Sequence, residues 1–294
     1  MKKILLSLLI SVASFGDGLI ITTTNNAASI VKQLVGDKIK VESLTLGTQD
    51  PHYLSSKPSF TVKLSRADLL VSIGMELEDG WLPLVTKGAR NPKILIGGSG
   101  RLVLSEYLKN PLEVPKDLSR SQGDVHAEGN PHFLLSPSRV INLLPAISER
   151  IIKLFPDLKD EVQKNTSVLN IHLEAVLKRM SSIRVHKEII MYHKTLSYFL
   201  NDLGINVAGY LEPKPGIPPS AAHLLKIMKI IDEKKVQLVL VENYFSDEVA
   251  KKLKQKMNLT FIHIPVSVDG NEKVTDIVKL YDFLISSVEN QGIN

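Results

Sequence analysis

The sequence of 294 residues contains no cysteine, which excludes disulfides, thiolate nucleophiles and thiolate metal ligands. Aromatic residues are only 5 % of the chain, with a single tryptophan, so no aromatic-rich nucleic-acid surface is available. Beyond the first residues no stretch reaches the roughly 18 uncharged apolar positions of a membrane span. The lysines are scattered and the formal charge is +5, which argues against a nucleic-acid partner. Neither a His-Glu-x-x-His motif nor a Gly-x-Ser-x-Gly elbow occurs, so the common signatures of zinc and serine hydrolases are missing.

What is present begins with Met1, Lys2 and Lys3, an apolar run from Ile4 to Val12, and small residues at Ala13, Ser14 and Gly16. That order is the pattern of a secretory signal peptide, expected over residues 1–16. Its removal takes two lysines and leaves a charge of +3. An exported chain without cysteine has no acylation site for a lipoprotein anchor, so a free periplasmic protein stabilised by core burial is expected.

Short β-rich runs alternate with helical spacing along the whole chain. Leu19 to Thr23, Val41 to Leu46, Leu69 to Ile73 and Ile94 to Ile96 read as strands of a first unit, with helices over Ala27 to Leu34 and Thr61 to Ala67. Ser138 to Leu154 and Asp157 to Ile183 read as helices, the second long and with Asp157 as its cap. The alternation then resumes, with strands at Glu188 to Tyr192, Ile205 to Tyr210, Val236 to Val241 and Leu259 to Ile264. Helices fit Ala221 to Glu233 and Asp247 to Met257. This is an α/β chain of two β/α lobes, and crossovers of this length imply parallel sheets with ligands beyond the carboxyl ends of their strands.

Three of the eight histidines stand where such ligands sit. His52 follows the Val41 to Leu46 strand, His132 follows a polar loop over Gln122 to Asn130, and His193 follows Ile189 to Tyr192. Each has an ordinary alternative, as a turn residue in Asp-Pro-His, a loop residue in Asn-Pro-His, or a buried packing residue. Three neutral imidazoles and a carboxylate would close a tetrahedral zinc site. Glu242, at the end of the Val236 to Val241 strand, is the favoured carboxylate and Asp269 its competitor. His126 is an accessory candidate, while His172, His186, His223 and His263 are background. Glu212 and Lys214 lie in a proline-rich run read as a stiff interlobe loop.

The order Asp50-Pro51-His52, Ala67-Asp68-Leu69, Gly74-Met75-Glu76-Leu77-Glu78 with Trp81, Gly129-Asn130-Pro131-His132, Tyr192-His193-Lys194-Thr195, Glu212 to Ser220 and Val241-Glu242 resembles the metal-binding receptors of zinc and manganese ABC importers, in their zinc-uptake branch. The resemblance covers essentially the whole chain after residue 16. It implies two lobes with parallel four-stranded sheets, residues 17–155 and 184–294, joined by one long rigid helix over 156–183, with metal held between them by His52, His132 and His193.

The resemblance also implies a monomeric receptor that captures Zn2+ and passes it to an integral-membrane permease. Manganese-preferring members tend to place a carboxylate where this chain has His193, so Mn2+ fits less well. Such receptors often take their last ligand from an aspartate in the final interface loop, yet the Pro-Gly-Ile-Pro-Pro-Ser branch commonly has glycine near Asp269, which keeps Glu242 ahead. The histidine- and acid-rich loop of many zinc receptors is reduced here to Asp124, His126 and Glu128. A secreted zinc-dependent hydrolase is the rival reading, and a surface adhesin a weaker one.

Overall fold

The computed structural model describes residues 18–115, 126–183, 188–214 and 216–289. The expected signal peptide, His186 and the first part of the polar loop, Asp124 included, lie outside the described residues. In the first half, β1 (Leu19–Thr22), β2 (Lys40–Ser43), β3 (Leu69–Ser72) and β4 (Arg101–Val103) form a four-stranded sheet. Its order is β2-β1-β3-β4 and every pairing is parallel.

The helices between these strands follow from local chemistry. Thr24 caps α1 (Asn25–Val35) by accepting from the Ala27 amide, and Ile30, Val31, Leu34 and Val35 bury one apolar stripe. Gly36 ends that helix at a φ of 56°, a conformation that glycine adopts without strain. α2 (Pro58–Ser65) starts on a proline, whose missing N–H costs nothing in a first turn, and α3 (Leu82–Ala89) has Pro83 in the same role.

Two helices then lead to the second half, α4 (Pro137–Leu154) and α5 (Lys159–Ser182), separated by a 3-10 turn over Pro156–Leu158. The second sheet contains β5 (Ile189–Met191), β6 (Val207–Tyr210), β7 (Leu238–Glu242) and β8 (Thr260–Ile264). Its order, β6-β5-β7-β8, repeats the first sheet's, again all parallel. α6 (Ser197–Leu203), α7 (Ala221–Lys234) and α8 (Glu248–Lys256) connect the strands, and α9 (Ile277–Glu289) follows the last one. Each sheet reverses its winding beside its first strand, between β1 and β3 and between β5 and β7. The crevices at those two reversals open beyond the strands' carboxyl ends, where His52 and His193 stand.

Three expectations need correction or addition. Ile94 to Ile96 is not a strand: Asn91 caps a 3-10 turn over Pro92–Ile94 by accepting from Lys93, and Ile96 is 93 % exposed. The edge strand β4 forms three residues past Gly98 instead, paired with β3. Asp157 does not cap α5, because the 3-10 turn occupies its position and Leu158 stands at the helix start without a side-chain bond. The helices α3, α6 and α9 come in addition to those expected from the sequence.

The lobes share a core. α5 buries Val162, Leu169, Leu173, Val176 and Met180, a stripe at helical spacing. One continuous apolar cluster runs from Ile20 and Leu69 of the first sheet through Leu143 and Leu173 to Ile189 of the second and Leu280 and Leu284 of α9. Late residues thereby return to the first lobe, and the Tyr281 hydroxyl donates to the Leu134 carbonyl at 2.7 Å. Leu173→Ala, at a fully buried position, is expected to cost about 3 kcal/mol. Thermal unfolding of that variant followed by two probes should remain one transition, and two separate transitions would show that the lobes are stabilised independently.

Candidate metal centre

The centre starts from loops that have little choice of conformation. After β2 the chain continues alongside β1, with Leu44 and Thr45 donating to the carbonyls of Thr22 and Thr23. It then turns through Asp50-Pro51-His52, and the only tryptophan donates its indole N–H to the Pro51 carbonyl at 2.9 Å. Asp50 Oδ1 accepts from the His52 amide at 3.0 Å and faces His52 Nδ1 at 2.7 Å. Burial works to raise the Asp50 carboxyl, but the bonds from His52 outweigh it and hold the group below the ordinary range.

His193 lies two residues past the end of β5 and is 7 % exposed. Its Nδ1 faces Glu212 Oε2 at 2.7 Å. Glu212 is thus more than part of a stiff loop: it sits just past β6, and its carboxylate orients the histidine of the neighbouring strand. Pro213 immediately after it was the signal in the sequence for a fixed position. His132 is placed by Asn130, whose Oδ1 accepts the His132 amide at 2.9 Å while its Nδ2 donates to the Lys194 carbonyl at 2.8 Å. One asparagine therefore ties the His132 turn to the His193 turn.

The ligand atoms of His52, His132 and His193 all lie within 4.8 Å of one another. His132 Nε2 is enclosed and makes no hydrogen bond. Burial, followed by the neighbouring His52, His193 and His126, holds its pKa well below the ordinary value. At neutral pH His132 is therefore an uncharged imidazole with a buried lone pair, the form a metal ion requires.

His126 joins this group from another direction. Its Nε2 is 3.2 Å from His52 Nε2. Two nitrogens bound tetrahedrally to zinc at about 2.05 Å stand about 3.3 Å apart, so this spacing matches one edge of a zinc tetrahedron. Glu76 Oε2 lies 3.9 Å from His126 Nδ1 and accepts from the Ala127 amide at 2.7 Å. Glu76 itself sits on a tight turn in which Met75 and Glu76 have φ of 53° and 63°, a conformation that costs non-glycine residues energy. The buried Glu78 carboxylate holds that turn, accepting from Ile73, Gly74 and Thr23 at 2.7, 3.0 and 2.6 Å.

Neither carboxylate expected as a fourth ligand belongs to the gathered group. Glu242, at the end of β7, is fully buried, with the Thr195 side chain and the His193 backbone close to its carboxyl but neither in good hydrogen-bond geometry with it. Burial, with the nearby Glu212 adding to it, pushes its pKa up to about 8. Asp269 has a φ of 60° and its Oδ2 accepts from Asn25 Nδ2 at 3.1 Å across the lobes. Of the background histidines, His223 and His263 face the carbonyls of Tyr210 and Phe245 through Nε2. A small cavity of about 50 Å3 adjoins His132, lined also by Asn26, Pro51, Thr195 and Tyr244.

Comparison with known proteins identifies the family of the chain. A family model described as "ZnuA: Zinc-uptake complex component A periplasmic" matches residues 20–286. The zinc-binding lipoprotein AdcA of Streptococcus pneumoniae is 27 % identical over 241 residues, 81 % of this chain and 47 % of that protein. The chain thus spans about half the length of that relative. The high-affinity zinc uptake system protein ZnuA of Bacillus subtilis is 27 % identical over 248 residues, 83 % of this chain and 76 % of that one. A crystal structure of ZnuA, 21 % identical, superposes with a TM-score of 0.78 over 93 % of this chain and 98 % of that chain, which shows the shared fold.

The buried acid generates a pH test. A carboxyl whose folded pKa is raised leaves the metal-free protein unaffected in acid and costs it stability as pH rises through the folded value. Glu242→Gln is therefore expected to gain thermal stability over the wild type between about pH 5 and about pH 9 in the absence of metal. A difference independent of pH would show that Glu242 is not held protonated by burial.

Proposed function

We propose that this chain, which belongs to the ZnuA family of periplasmic zinc-uptake components, captures one zinc ion between its lobes and delivers it to the membrane permease of an ABC importer. The observation that carries the reading is the convergence of His52, His132 and His193 from loops of both lobes onto a buried point, with an orphaned imidazole nitrogen among them. In this reading the three histidines bind the ion directly. His126 closes the tetrahedron, supported by its 3.2 Å approach to His52. Glu242, favoured from the sequence, and Asp269, its competitor, are the alternatives for that position.

Nitrogen donors favour zinc over manganese, which prefers oxygen. Asp50, Glu212 and Glu76 stand on the far side of three of the imidazoles, the usual means of fixing a zinc-binding histidine. No helix among the described residues is long and apolar enough to cross a membrane. The signal-like first residues support export to the periplasm, and the same reading takes the protein to be a monomeric carrier that is not an enzyme. The zinc-hydrolase alternative finds no support among the AdcA and ZnuA relatives.

Metal titration of the chelator-stripped mature protein provides the test. Zinc should raise the unfolding temperature steeply, with about 4 kcal/mol of stabilisation at a thousandfold excess over Kd. His193→Ala should abolish most of that shift. His126→Ala should weaken zinc binding by more than the roughly 10-fold to 100-fold that losing a partner of a ligand costs, whereas Glu242→Ala, compared at a pH where its stability matches, should leave it largely intact. Loss in Glu242→Ala alone would make Glu242 the fourth ligand, and no shift with any divalent ion would sink the receptor reading.

A further inference from the structure

The loop that carries His52 belongs to the first lobe, yet it touches the second lobe before it reaches the histidine. Gly47 stands against the backbone of residues 268–270. A Cβ built on it would lie well inside 3.0 Å of the Val268 carbonyl oxygen, the Asp269 carbonyl carbon and the Gly270 nitrogen. These neighbours are backbone atoms, so no side-chain rotation could relieve the overlap. Asn243, the residue after β7, spans the same contact: its Nδ2 donates to the Gly47 carbonyl at 3.1 Å and to the Gly270 carbonyl at 3.2 Å. Its own amide is fixed by the Ile264 carbonyl at 2.9 Å.

On the first-lobe side the link to the histidine is short. The Leu46 amide donates to Gln49 Oε1 at 3.0 Å and the Gln49 amide donates back to the Leu46 carbonyl at 3.0 Å, closing a tight turn around Gly47. Asp50, Pro51 and His52 come directly after it. On the second-lobe side, the same 266–270 segment is held by the first helix of the other lobe. Asn26 Nδ2 donates to the Val266 carbonyl at 3.1 Å and its Oδ1 accepts the Val268 amide at 2.8 Å.

We infer that Gly47 and Asn243 are positioning residues that set the distance between His52 and His193, by stopping the two lobes against each other beside the metal centre. The inference rests on the reading of this chain as a metal receptor. Backbone-on-backbone contact at Gly47 is the closest approach the lobes can make there, and the Asn243 amide keeps them from parting. A methyl group at residue 47 acts as a wedge, displacing the His52 loop from the second lobe without altering any ligand. Loss of the Asn243 amide releases the same loop.

The experiment compares Gly47→Ala, Asn243→Ala and Ser29→Ala with the wild type. Ser29 is the control, because its hydroxyl accepts the Ile277 amide at 2.9 Å, a buried interlobe bond made through α1. Zinc affinity is read by competition with a chromophoric chelator, stability by unfolding of the metal-free forms, and ligand geometry by the visible spectrum of the cobalt(II)-loaded proteins. Gly47→Ala and Asn243→Ala are expected to bind zinc about tenfold or more weakly, with an altered cobalt spectrum, while Ser29→Ala loses stability but keeps wild-type affinity and spectrum. If Gly47→Ala does not fold, Asn243→Ala decides alone. Wild-type affinity in Asn243→Ala and in any folded Gly47→Ala overturns the inference, as does an equal loss in Ser29→Ala, which would mark a general loosening of the lobes. A wild-type protein that binds no zinc overturns the receptor reading itself, a result distinct from either.

Discussion

The arrangement of the centre depends on one kind of interaction, a carboxylate on the Nδ1 side of an imidazole. Asp50 holds His52 and Glu212 holds His193, each at 2.7 Å. With Nδ1 acting as the donor, the proton is kept off Nε2, and that lone pair is left for an ion. Each carboxylate comes from the same lobe as its histidine, so each lobe supplies its own half of the centre. His132 is kept uncharged differently, by burial first and then by the neighbouring His52, His193 and His126.

Assembly of two halves makes the relative position of the lobes the second constraint. An apolar cluster common to both sheets, a long helix buried along one stripe, and α9 packed back against α1 and α5 all oppose a wide hinge motion. In the proposed receptor, release of metal comes from small displacements, of the loops after the strands or of the contact at Gly47. Split ownership of the ligands suits that requirement. A shift of an ångström at the interface separates His52 from His193, whereas a centre built within one lobe would be indifferent to it.

Much of this was legible in the sequence, and the reasons differ by element. The runs ending at Tyr192 and Glu242 are short and apolar, and parallel sheets gather the loops at their carboxyl ends along one edge, which made His52 and His193 candidates, while their grouping with His132 was implied by the resemblance. The helices α3 and α6 were not legible, since seven or eight residues carry too few turns for a periodic signal. Ile94 to Ile96 looked like a strand because it is apolar, but Asn91-Pro92 on one side and Gly97-Gly98 on the other bend it away from the sheet. The places of Glu212, Glu76 and His126 depend on contacts between segments far apart in the chain. Glu242 carried its signal, a carboxylate at a strand end, but sequence does not tell that its side chain is fully buried there.

X-ray absorption at the zinc edge of the loaded protein tests the central claim most directly. The expected result is a four-coordinate ion with nitrogen neighbours at about 2.0 Å and the multiple-scattering signature of imidazole rings, with one imidazole fewer in His126→Ala. A six-coordinate, oxygen-dominated shell without imidazole scattering would contradict it, and would mean that the gathered histidines serve something other than a zinc ion.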